Sequence, residues 1–416
     1  MQENSSAWGT AVKSLEEAAK LANLNQDVLN ILKEHQRIFI TTFSVRMDDG
    51  SLKIFKGYRV HHNHALGPIR GGTRFHKEET LDDMKALSLW MTVKNALNGI
   101  PAGGGKGGVV CDPEAMSEGE LQRLCRAYIR AIAPVIGSWI DFPGADVGTS
   151  SKTMSWMMDE WEQMHAMTHE PTAISGKEIV IGGSEGRPAA TGYGVCLTVR
   201  ETCKALGLDI NQQRVAIQGF GKVGSWAARL IFDMGAKIVA VGDVFSGVTN
   251  ENGINPYELL EHVEKTGKVQ GFAGTSPITN EELLTCECDV LIPAATQSVI
   301  TADNAAKVTA KIVVEGANGP TTTEAEKILA SKGVFLIPDI LANGGGTTIA
   351  HLERVQCLCD DFWTEEQVNN RYEGMFIKAC QEVFDIAKKE NISIRMAAWV
   401  KALRIVEKAI VARGWV

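Results

Sequence analysis

The chain of 416 residues is too long for one compact hydrophobic core, and its 44% content of hydrophobic residues is enough to build two domains. Its formal net charge of −8, spread over many acidic and basic residues, argues against the concentrated basic face that a nucleic-acid surface requires. No apolar run approaches the roughly 20 residues that span a bilayer, and residues 1–6 have neither signal-peptide nor transit-peptide character. We therefore expect a cytoplasmic protein with a small-molecule partner and with no nucleic-acid or membrane partner.

The first elements along the chain are predicted to be a β-hairpin and a helix. Residues 37–47 alternate between apolar and polar side chains, and residues 52–60 form a second extended stretch after the turn at residues 48–50. A helix is expected to follow Thr80, because its hydroxyl group and Asp83 form a plausible capping box.

From residue 214 the pattern changes to strand, glycine turn, helix and strand. The apolar residues 215–217 lead into Gly219-Phe220-Gly221-Lys222-Val223-Gly224, a helical repeat follows, and residues 237–241 form the next strand. Further apolar strands are expected at residues 290–292, 312–314 and 334–337. This alternation predicts a parallel, doubly wound sheet.

The position of this glycine motif in mid-chain implies two domains, because the residues before it must form a domain of their own. We predict an α/β fold with an N-terminal substrate and oligomerisation domain at residues 1–185, completed by C-terminal helices at residues 345–416. Residues 186–344 are predicted to form a Rossmann-type, doubly wound dinucleotide-binding domain.

The glycine motif itself predicts a site for a dinucleotide. Gly219 allows the tight turn, Gly221 lets the backbone approach a pyrophosphate, and Gly224 lets the helix pack closely on the strand. Asp243, one strand later, would accept hydrogen bonds from the adenosine ribose and repel a 2′-phosphate, which favours NAD. Lys222 is a cation close to the phosphates, so use of NADP stays open.

A second glycine-rich segment isolates one lysine. Lys106 stands among residues without side chains in Pro101-Ala102-Gly103-Gly104-Gly105-Lys106-Gly107-Gly108. An ammonium group in a poorly solvated cleft loses its proton more readily than one in water, which suits a residue that activates water. The two glycine motifs together indicate a nicotinamide enzyme with a catalytic lysine.

The cysteines and histidines do not predict a metal site. Nine scattered cysteines favour a reducing compartment over a disulfide framework. The pairs Cys286/Cys288 and Cys357/Cys359 and the histidines at positions 61, 62 and 64 lack the spacing of zinc ligands. We expect no bound metal.

Five motifs occur in the order seen in glutamate dehydrogenases, and they cover the chain from about residue 27 onward. They are Gly67-Pro68-Ile69-Arg70-Gly71-Gly72-Thr73-Arg74-Phe75-His76, the lysine motif, Gly183-Ser184-Glu185-Gly186-Arg187 with Ala190-Thr191-Gly192, the dinucleotide motif, and Ala317-Asn318-Gly319-Pro320-Thr321. The chain thus resembles the Glu/Leu/Phe/Val dehydrogenase superfamily, and its length and its ending resemble the hexameric glutamate branch. The resemblance implies a homohexamer that catalyses the reversible oxidative deamination of L-glutamate to 2-oxoglutarate and ammonia with NAD(P).

The resemblance also implies roles for individual residues. Lys106 and Asp146 match the catalytic pair of the family, and Lys94 matches the lysine that holds the substrate α-carboxylate, although a cation on a helix also suits a solvated surface. Thr191 and Asn318 match residues near the nicotinamide, and their alternative roles are a helix N-cap and a turn residue. The other predicted contacts are Gly72 for the substrate and Val223, Ala294 and Asn343 for the cofactor.

The side-chain pocket departs from the family pattern at three positions. Arg70 stands where glutamate dehydrogenases usually carry the lysine that reaches the distal carboxylate; the charge is kept, but the group is longer and planar. Thr347 and Ala350 replace a hydrophobic residue and a serine, and the missing hydroxyl removes a hydrogen bond of roughly 1.5–3 kcal/mol. We interpret the neighbouring Arg74 as structural.

These departures leave two alternatives to glutamate dehydrogenase. One is an amino acid dehydrogenase of the same superfamily with an altered side-chain specificity. The other is a catalytically weak regulatory subunit of a mixed hexamer.

Overall fold

The computed structural model describes residues 6–416, which form two compact units. None of the helices in this described part combines the length and the apolar character needed to cross a bilayer. The first unit contains the described residues up to Arg187, Thr347–Tyr372 and Trp399–Val416, and the second contains Pro188–Gly346 and Glu373–Ala398.

This division differs from the expected one in the C-terminal part. The whole of residues 345–416 was expected to complete the first domain, but Glu373–Ala398 groups with the second unit. The reason lies in two long helices, because the division falls inside each of them and one continuous helix therefore contributes residues to both units.

The first unit is built on a five-stranded mixed sheet. Its strands are β1 (Arg37–Arg46), β2 (Leu52–Asn63), β3 (Ile69–His76), β4 (Gly103–Val110) and β5 (Asp141–Ala145), in the order β1-β2-β4-β3-β5. Its first helices are α1 (Ala7–Ala22), α2 (Gln26–Leu32), α3 (Leu81–Leu97), α4 (Glu118–Ile132) and α5 (Ser151–Met164).

The predicted hairpin is confirmed as β1 and β2. The two strands pair antiparallel, with Phe43 opposite Phe55, and Gly50 takes the positive φ of 83° that the turn requires. The helix predicted after Thr80 is confirmed as α3, in which the Thr80 side chain accepts from the backbone N–H of Asp83 while the Asp83 carboxylate accepts in return.

Strands β4, β3 and β5 run parallel to one another in the middle and at one edge of this sheet. Glycine dominates β4 because α3 lies against it: a Cβ atom on Gly104 would overlap Thr92 of that helix. The sequence G-G-G-K-G-G therefore folds as a strand that a helix can approach closely, and Lys106 is its one long side chain before Val109.

The second unit is built on a seven-stranded sheet that confirms the predicted doubly wound fold. Its strands are β6 (Arg214–Gln218), β7 (Lys237–Gly242), β8 (Gly247–Thr249), β9 (Ser276–Ile278), β10 (Val290–Pro293), β11 (Ile312–Val314) and β12 (Phe335–Ile337). The order is β12-β11-β10-β6-β7-β8-β9, with the first five strands parallel. The antiparallel strands β8 and β9, which were not predicted, extend one edge.

The helices of the second unit and the C-terminal helices complete the chain. They are α6 (Ala190–Leu206), α7 (Lys222–Asp233), α8 (Pro256–Thr266), α9 (Asn280–Thr285), α10 (Ala302–Ala305), α11 (Thr323–Ser331), α12 (Asp339–Ala342), α13 (Gly345–Cys359), α14 (Glu365–Glu390) and α15 (Ile394–Ala412). The central parallel strands consist of buried branched residues such as Val215, Ile217 and Val313, as expected for strands covered on both faces.

Candidate active site

Three of the predicted substrate and catalytic residues lie on strands of the first sheet, namely Arg70, Gly72 and Lys106. Arg70, Gly72 and Arg74 lie at alternate positions of β3, so they share a face. Arg70 pairs in register with Gly104 of β4, and Lys106 is two residues further along that strand. Parallel pairing thus places the Arg70 and Lys106 side chains on the same side of the sheet.

Lys106 and Asp146 form an ion pair on this face. The Lys106 ammonium donates to Asp146 Oδ2, and the two side chains are 5% and 20% exposed. The residues are 40 positions apart, and they meet because Asp146 directly follows β5 while Lys106 lies in β4, with β3 between them. The structure therefore brings together the two residues predicted to be catalytic.

Burial and neighbouring charges shift the pKa values of both members of this pair. Burial lowers the pKa of Lys106 below 10.5, and the positive charges of Arg74 and Lys94 lower it further, against the opposing effect of Asp146. Burial alone would raise the pKa of Asp146, but the charges of Lys106 and Arg74 hold it below its usual range of about 3.8. The aspartate is therefore ionised at neutral pH.

Gly72 provides room for this pair. A Cβ atom at position 72 would lie 2.5 Å from Asp146 Oδ2 and 2.8 Å from Asp146 Cβ, so any side chain there would displace the carboxylate. The predicted importance of Gly72 thus has a steric basis, whatever contact its backbone makes with a substrate.

Arg74, which we interpreted as structural, contacts one of the two residues predicted to be catalytic. Its Nε donates to Asp146 Oδ1 at 3.1 Å, and Glu79 lies 3.7 Å from the same nitrogen. The signal that would have found it is the alternation of β3, because Arg74 shares a face with Gly72, which packs on the same carboxylate.

Lys94 lies in the last turn of α3 and is partly exposed. Its charge contributes to the lowered pKa of Lys106, so the two ammonium groups are electrostatic neighbours. This position favours the predicted role at a substrate carboxylate over a remote, solvated cation.

Arg70 is a buried cation. It is 4% exposed, its Nε has no hydrogen-bond partner, and no carboxylate of residues 6–416 forms an ion pair with it. Its guanidinium lies 5.6 Å from the ring centre of Phe142 and packs tightly against Gly144. Burial lowers the pKa of Arg70 from 12.5 to about 9, and the nearby charge of Arg187 adds to the effect.

Helix α13 places two further predicted residues in the first unit. Thr347 is partly exposed and Ala350 is fully buried, and the spacing of three residues puts them on one side of the helix. His351, which was not predicted, lies near Arg70: burial lowers the pKa of His351 to about 4, with contributions from the charges of Arg354 and Arg70. The spacing of residues along the sequence gives no signal for this histidine.

In the second unit, the residues of the dinucleotide motif fit a pyrophosphate. Gly219 has a φ of 98°, which favours glycine, and a Cβ on Gly224 would overlap the carbonyl oxygen of Gly219. A Cβ on Gly221 would meet no atom within 4 Å, so space is open before the first turn of α7. Lys222 is the exposed first residue of that helix and Val223 the second, so their N–H groups lie at its positive end.

Asp243 follows β7 as predicted, but its carboxylate already organises a turn. Oδ1 accepts from the backbone N–H groups of Phe245 and Ser246 at 2.8 and 3.0 Å, and Oδ2 accepts from Val269 N–H at 2.7 Å. A carboxylate has about four acceptor positions, so one remains for a ribose hydroxyl. The predicted ribose contact therefore stays a prediction, alongside a structural role that the sequence did not reveal.

The remaining predicted cofactor residues are Asn318, Asn343, Ala294 and Thr191. Asn343 donates to the side-chain oxygen of Asn318 at 2.9 Å, which brings these two together. Ala294 packs against Gly219 at the start of the dinucleotide motif. Thr191 is the second residue of α6, so the N-cap of that helix is Ala189 and the N-cap role considered for Thr191 is wrong.

A network of ion pairs that supports the turn at Asn318 was not predicted. Arg395 of α15 donates to Glu315, Glu326 and Asp339 at 2.8, 2.7 and 3.3 Å. The other oxygen of Asp339 accepts from the backbone N–H of Gly319 at 2.9 Å. This network fixes the turn that carries Asn318, although Arg395 lies far along the sequence.

The groups considered for metal binding have other contacts. His61 Nε2 lies 2.7 Å from Asp141, His62 bonds to Thr92 and to the carbonyl oxygen of Leu32, and His64 bonds to Gln36. Over residues 6–416, no group of three or more histidine, cysteine, aspartate or glutamate residues is arranged to hold a metal ion.

Comparison with known proteins identifies the family. The model described as Glu/Leu/Phe/Val dehydrogenase, dimerisation domain, matches residues 35–163, and the Glutamate/Leucine/Phenylalanine/Valine dehydrogenase model matches residues 182–414. The chain belongs to the Glu/Leu/Phe/Val dehydrogenase family. It is thus an amino acid dehydrogenase, and the family predicted from five motifs is confirmed.

Three similar members of this dehydrogenase family illustrate the relationship. The catabolic NAD-specific glutamate dehydrogenase RocG of Bacillus subtilis is 42% identical over 97% of this chain and 94% of its own length. The NAD-specific glutamate dehydrogenase of Clostridioides difficile is 40% identical over 97% of each chain. The structure of the hetero-hexameric glutamate dehydrogenase from Thermus thermophilus, in a Leu-bound form, has a TM-score of 0.93 and 36% identity over 98% of this chain and 97% of its own.

Proposed function

We propose that this dehydrogenase catalyses the reversible oxidative deamination of L-glutamate to 2-oxoglutarate and ammonia with NAD. Relatives at 40% and 42% identity over nearly the whole chain are named NAD-specific glutamate dehydrogenases. The observation in the molecule that carries the choice of substrate is Arg70, a buried cation that lacks an ion pair among the described residues. An isolated buried charge is costly, so its pocket favours a ligand that brings a carboxylate.

The order of charges on the sheet face supports an acidic amino acid bound in one orientation. Lys94 would hold the α-carboxylate, the amino group would lie beside Lys106 and Asp146, and the distal carboxylate would reach Arg70. Two cations at the ends and a proton-exchanging pair between them match the charge pattern of glutamate.

The two central residues would divide the proton transfers. Asp146, ionised beside Lys106 and Arg74, accepts a proton from the substrate ammonium group, which leaves the amine free to form the imine. Lys106, whose pKa is lowered by burial, in its neutral form takes a proton from the water that adds to the imine carbon. Loss of ammonia then gives the oxo acid.

The glycine motif and the turn after β11 would hold the cofactor. NAD supplies the acceptor for the hydride that leaves Cα of the substrate. The N–H groups at the start of α7 suit its pyrophosphate, and Asp243, Ala294 and Val223 are proposed to line the approach to it. Thr191, Asn318 and Asn343 are proposed for the nicotinamide end, because Asn343 fixes the side chain of Asn318.

Assembly and location belong to the same proposal. We propose a homohexamer in the cytoplasm, with one chain type at every position. All nine cysteines are free thiols, most of them buried, which suits a reducing compartment. The Thermus relative is described as hetero-hexameric, so a hexamer of two chain types is the competing assembly.

The deciding experiment is a steady-state assay of the purified chain against a panel of amino acids with NAD⁺ and with NADP⁺. Glutamate with NAD⁺ should give the highest kcat/KM, and leucine, valine and phenylalanine should give far lower values. A preference for any of those apolar amino acids would refute the role of Arg70, and absence of turnover with every pair would refute the enzyme assignment.

A second candidate is a dehydrogenase for a different acidic or polar amino acid. Ala350 is fully buried and offers a methyl group where the family usually has a serine hydroxyl, so one hydrogen bond to a distal carboxylate is missing. Aspartate and 2-aminoadipate in the same panel test this candidate directly, because they move the distal carboxylate by one carbon in each direction. A catalytically weak regulatory subunit would instead show normal NADH binding without turnover.

A further inference from the structure

A cavity of about 700 Å³ lies in the first unit, away from the catalytic pair. Its lining includes Ile69, the first residue of β3, and Ile140, the residue before β5. Lys106 and Asp146 lie further along these parallel strands or just after them, whereas the cavity lies where the strands begin. The cavity is therefore a separate site at the opposite end of these strands.

Two arginine side chains give the cavity a positive charge. Arg37 and Arg413 both line it, and no carboxylate of residues 6–416 forms an ion pair with either guanidinium. The Nε of Arg413 donates to the carbonyl oxygen of Ala65 at 2.6 Å, which anchors this arginine. Burial lowers the pKa of His64, and the charges of Arg413 and Arg37 lower it further. Both arginines are therefore close enough to His64 to affect its protonation.

A buried carboxylate next to the cavity lining is already neutralised. Asp141 lies behind His61, whose Nε2 is 2.7 Å from it, and Arg59 donates to both oxygens of the same carboxylate. Asp141 is fully buried, and none of the residues that line the cavity is acidic. An anion in the cavity would therefore meet cations without a competing negative group.

Apolar residues form part of the same lining. They are Pro68, Ile69, Ile140 and Trp139, which is 70% exposed although it is the largest apolar side chain of the group. Ligand sites of this size combine an apolar lining with a few polar groups that fix orientation. Two arginines together with this apolar lining match a molecule with one anionic end and one apolar end.

We propose that this cavity binds a small monocarboxylate with an apolar body, at a site distinct from that of the substrate. The carboxylate would lie between Arg37 and Arg413, where a planar guanidinium can form two parallel hydrogen bonds. The aliphatic or aromatic body would cover Ile140 and Trp139. The inference does not depend on which amino acid the enzyme oxidises.

The site is connected to the catalytic strands through one residue. Ile69 lines the cavity and pairs in register with Gly103 of β4 and with Asp141 of β5. Its Cγ2 occupies the space that a side chain on Gly105, the neighbour of Lys106, would need. A ligand that shifts Ile69 therefore presses on the strand that carries the catalytic lysine.

Isothermal titration calorimetry of the full-length protein with 4-methylpentanoate tests the proposal. Saturable binding at one site per chain is expected, with no comparable binding of 4-methylpentylamine, which has the same body and the opposite charge. Arg37→Gln should weaken the binding at least about tenfold, because one charged hydrogen-bonding group is lost. Trp139→Ala, in a different element, should weaken it as well.

Two control variants locate the binding. Arg46→Gln removes an exposed arginine from the far end of the same strand as Arg37, and it should leave the affinity unchanged. Arg70→Leu alters the proposed substrate pocket, and it should also leave the affinity unchanged.

Four results would overturn the proposal: no saturable binding, equal binding by Arg37→Gln, loss of binding in Arg70→Leu alone, and inorganic phosphate binding as tightly as the carboxylate. The third result would place the probe in the substrate pocket and would leave the proposed function intact. Failure of the amino acid panel, conversely, would leave the calorimetric result unaffected.

Discussion

Replacement of Arg70 by leucine should make the protein more stable and the enzyme much less active. The side chain is buried, lacks an ion pair among residues 6–416 and has one nitrogen without any hydrogen-bond partner. In the free enzyme it is therefore an unfavourable residue, and its retention makes sense if a substrate carboxylate completes its contacts.

The stability change follows from the electrostatics. Burial lowers the pKa of Arg70 from 12.5 to about 9, and a lowering of that size corresponds to a cost of about 5 kcal/mol for keeping the cation in the folded state. Because the folded state holds this proton less tightly than the unfolded state, the cost is present at every pH below about 9. Replacement of buried charge by a packed apolar residue typically stabilises by about 1–4 kcal/mol, and we expect a gain in that range.

The activity change has the opposite sign. Two charged hydrogen bonds to a distal carboxylate would be lost, at about 1.5–3 kcal/mol each. A total of about 3 kcal/mol or more corresponds to a fall of at least about 10²-fold in kcat/KM for glutamate. The loss should appear mainly in KM, because the distal carboxylate is bound equally in the ground state and in the transition state.

Scanning calorimetry and steady-state kinetics on the same preparations measure both effects. Arg70→Lys is the matched control, because it keeps the positive charge and introduces the lysine that glutamate dehydrogenases usually carry at this position. Its KM for glutamate should stay within about tenfold of the parent value. Lower thermal stability of Arg70→Leu together with an unchanged KM would refute the reasoning, because Arg70 would then be a structural residue with contacts that outweigh its burial.

Three further predictions concern other parts of the molecule. Lys106→Met should reduce kcat by at least about 10³-fold while the dissociation constant of NADH, measured by fluorescence, stays within about twofold; substantial residual turnover would remove this lysine from the mechanism. Burial lowers the pKa of His62 from 6.5 to about 3. As the pH falls below 6.5, this histidine is therefore protonated in the unfolded chain but not in the folded one. The free energy of unfolding should then fall by about 1.4 kcal/mol per pH unit. Urea unfolding at neutral pH and at about pH 5 should show a smaller difference for His62→Gln, and equal slopes would contradict the assignment. Arg395→Met should lower the thermal midpoint and raise KM for NAD more than KM for glutamate, because the network that fixes the Asn318 turn is lost; an equal rise in both would indicate general unfolding.

Local patterns predicted the parts of the fold that short segments decide. The alternation of β1 and β2 and the turn at Gly50 specified a hairpin, and the capping box at Thr80 marked the start of α3. The strand, glycine turn and helix at residues 214–233 predicted the dinucleotide site, and Gly219 and Gly224 each have a local steric reason. The antiparallel strands β8 and β9 were not predicted, because each is only three residues long and carries too little periodicity to detect.

The sequence by itself determined the family, and it predicted the two-domain order and the catalytic pair, because these follow from motifs in which neighbouring residues act together. Only the tertiary structure decided what those residues touch. Parallel pairing of β4, β3 and β5 places Asp146 between Lys106 and Arg74, buries Arg70 without an ion pair to any of residues 6–416, and leaves a cavity lined by two arginines where the strands begin. Such contacts join residues tens of positions apart, and register between strands, rather than spacing along the chain, brings them together.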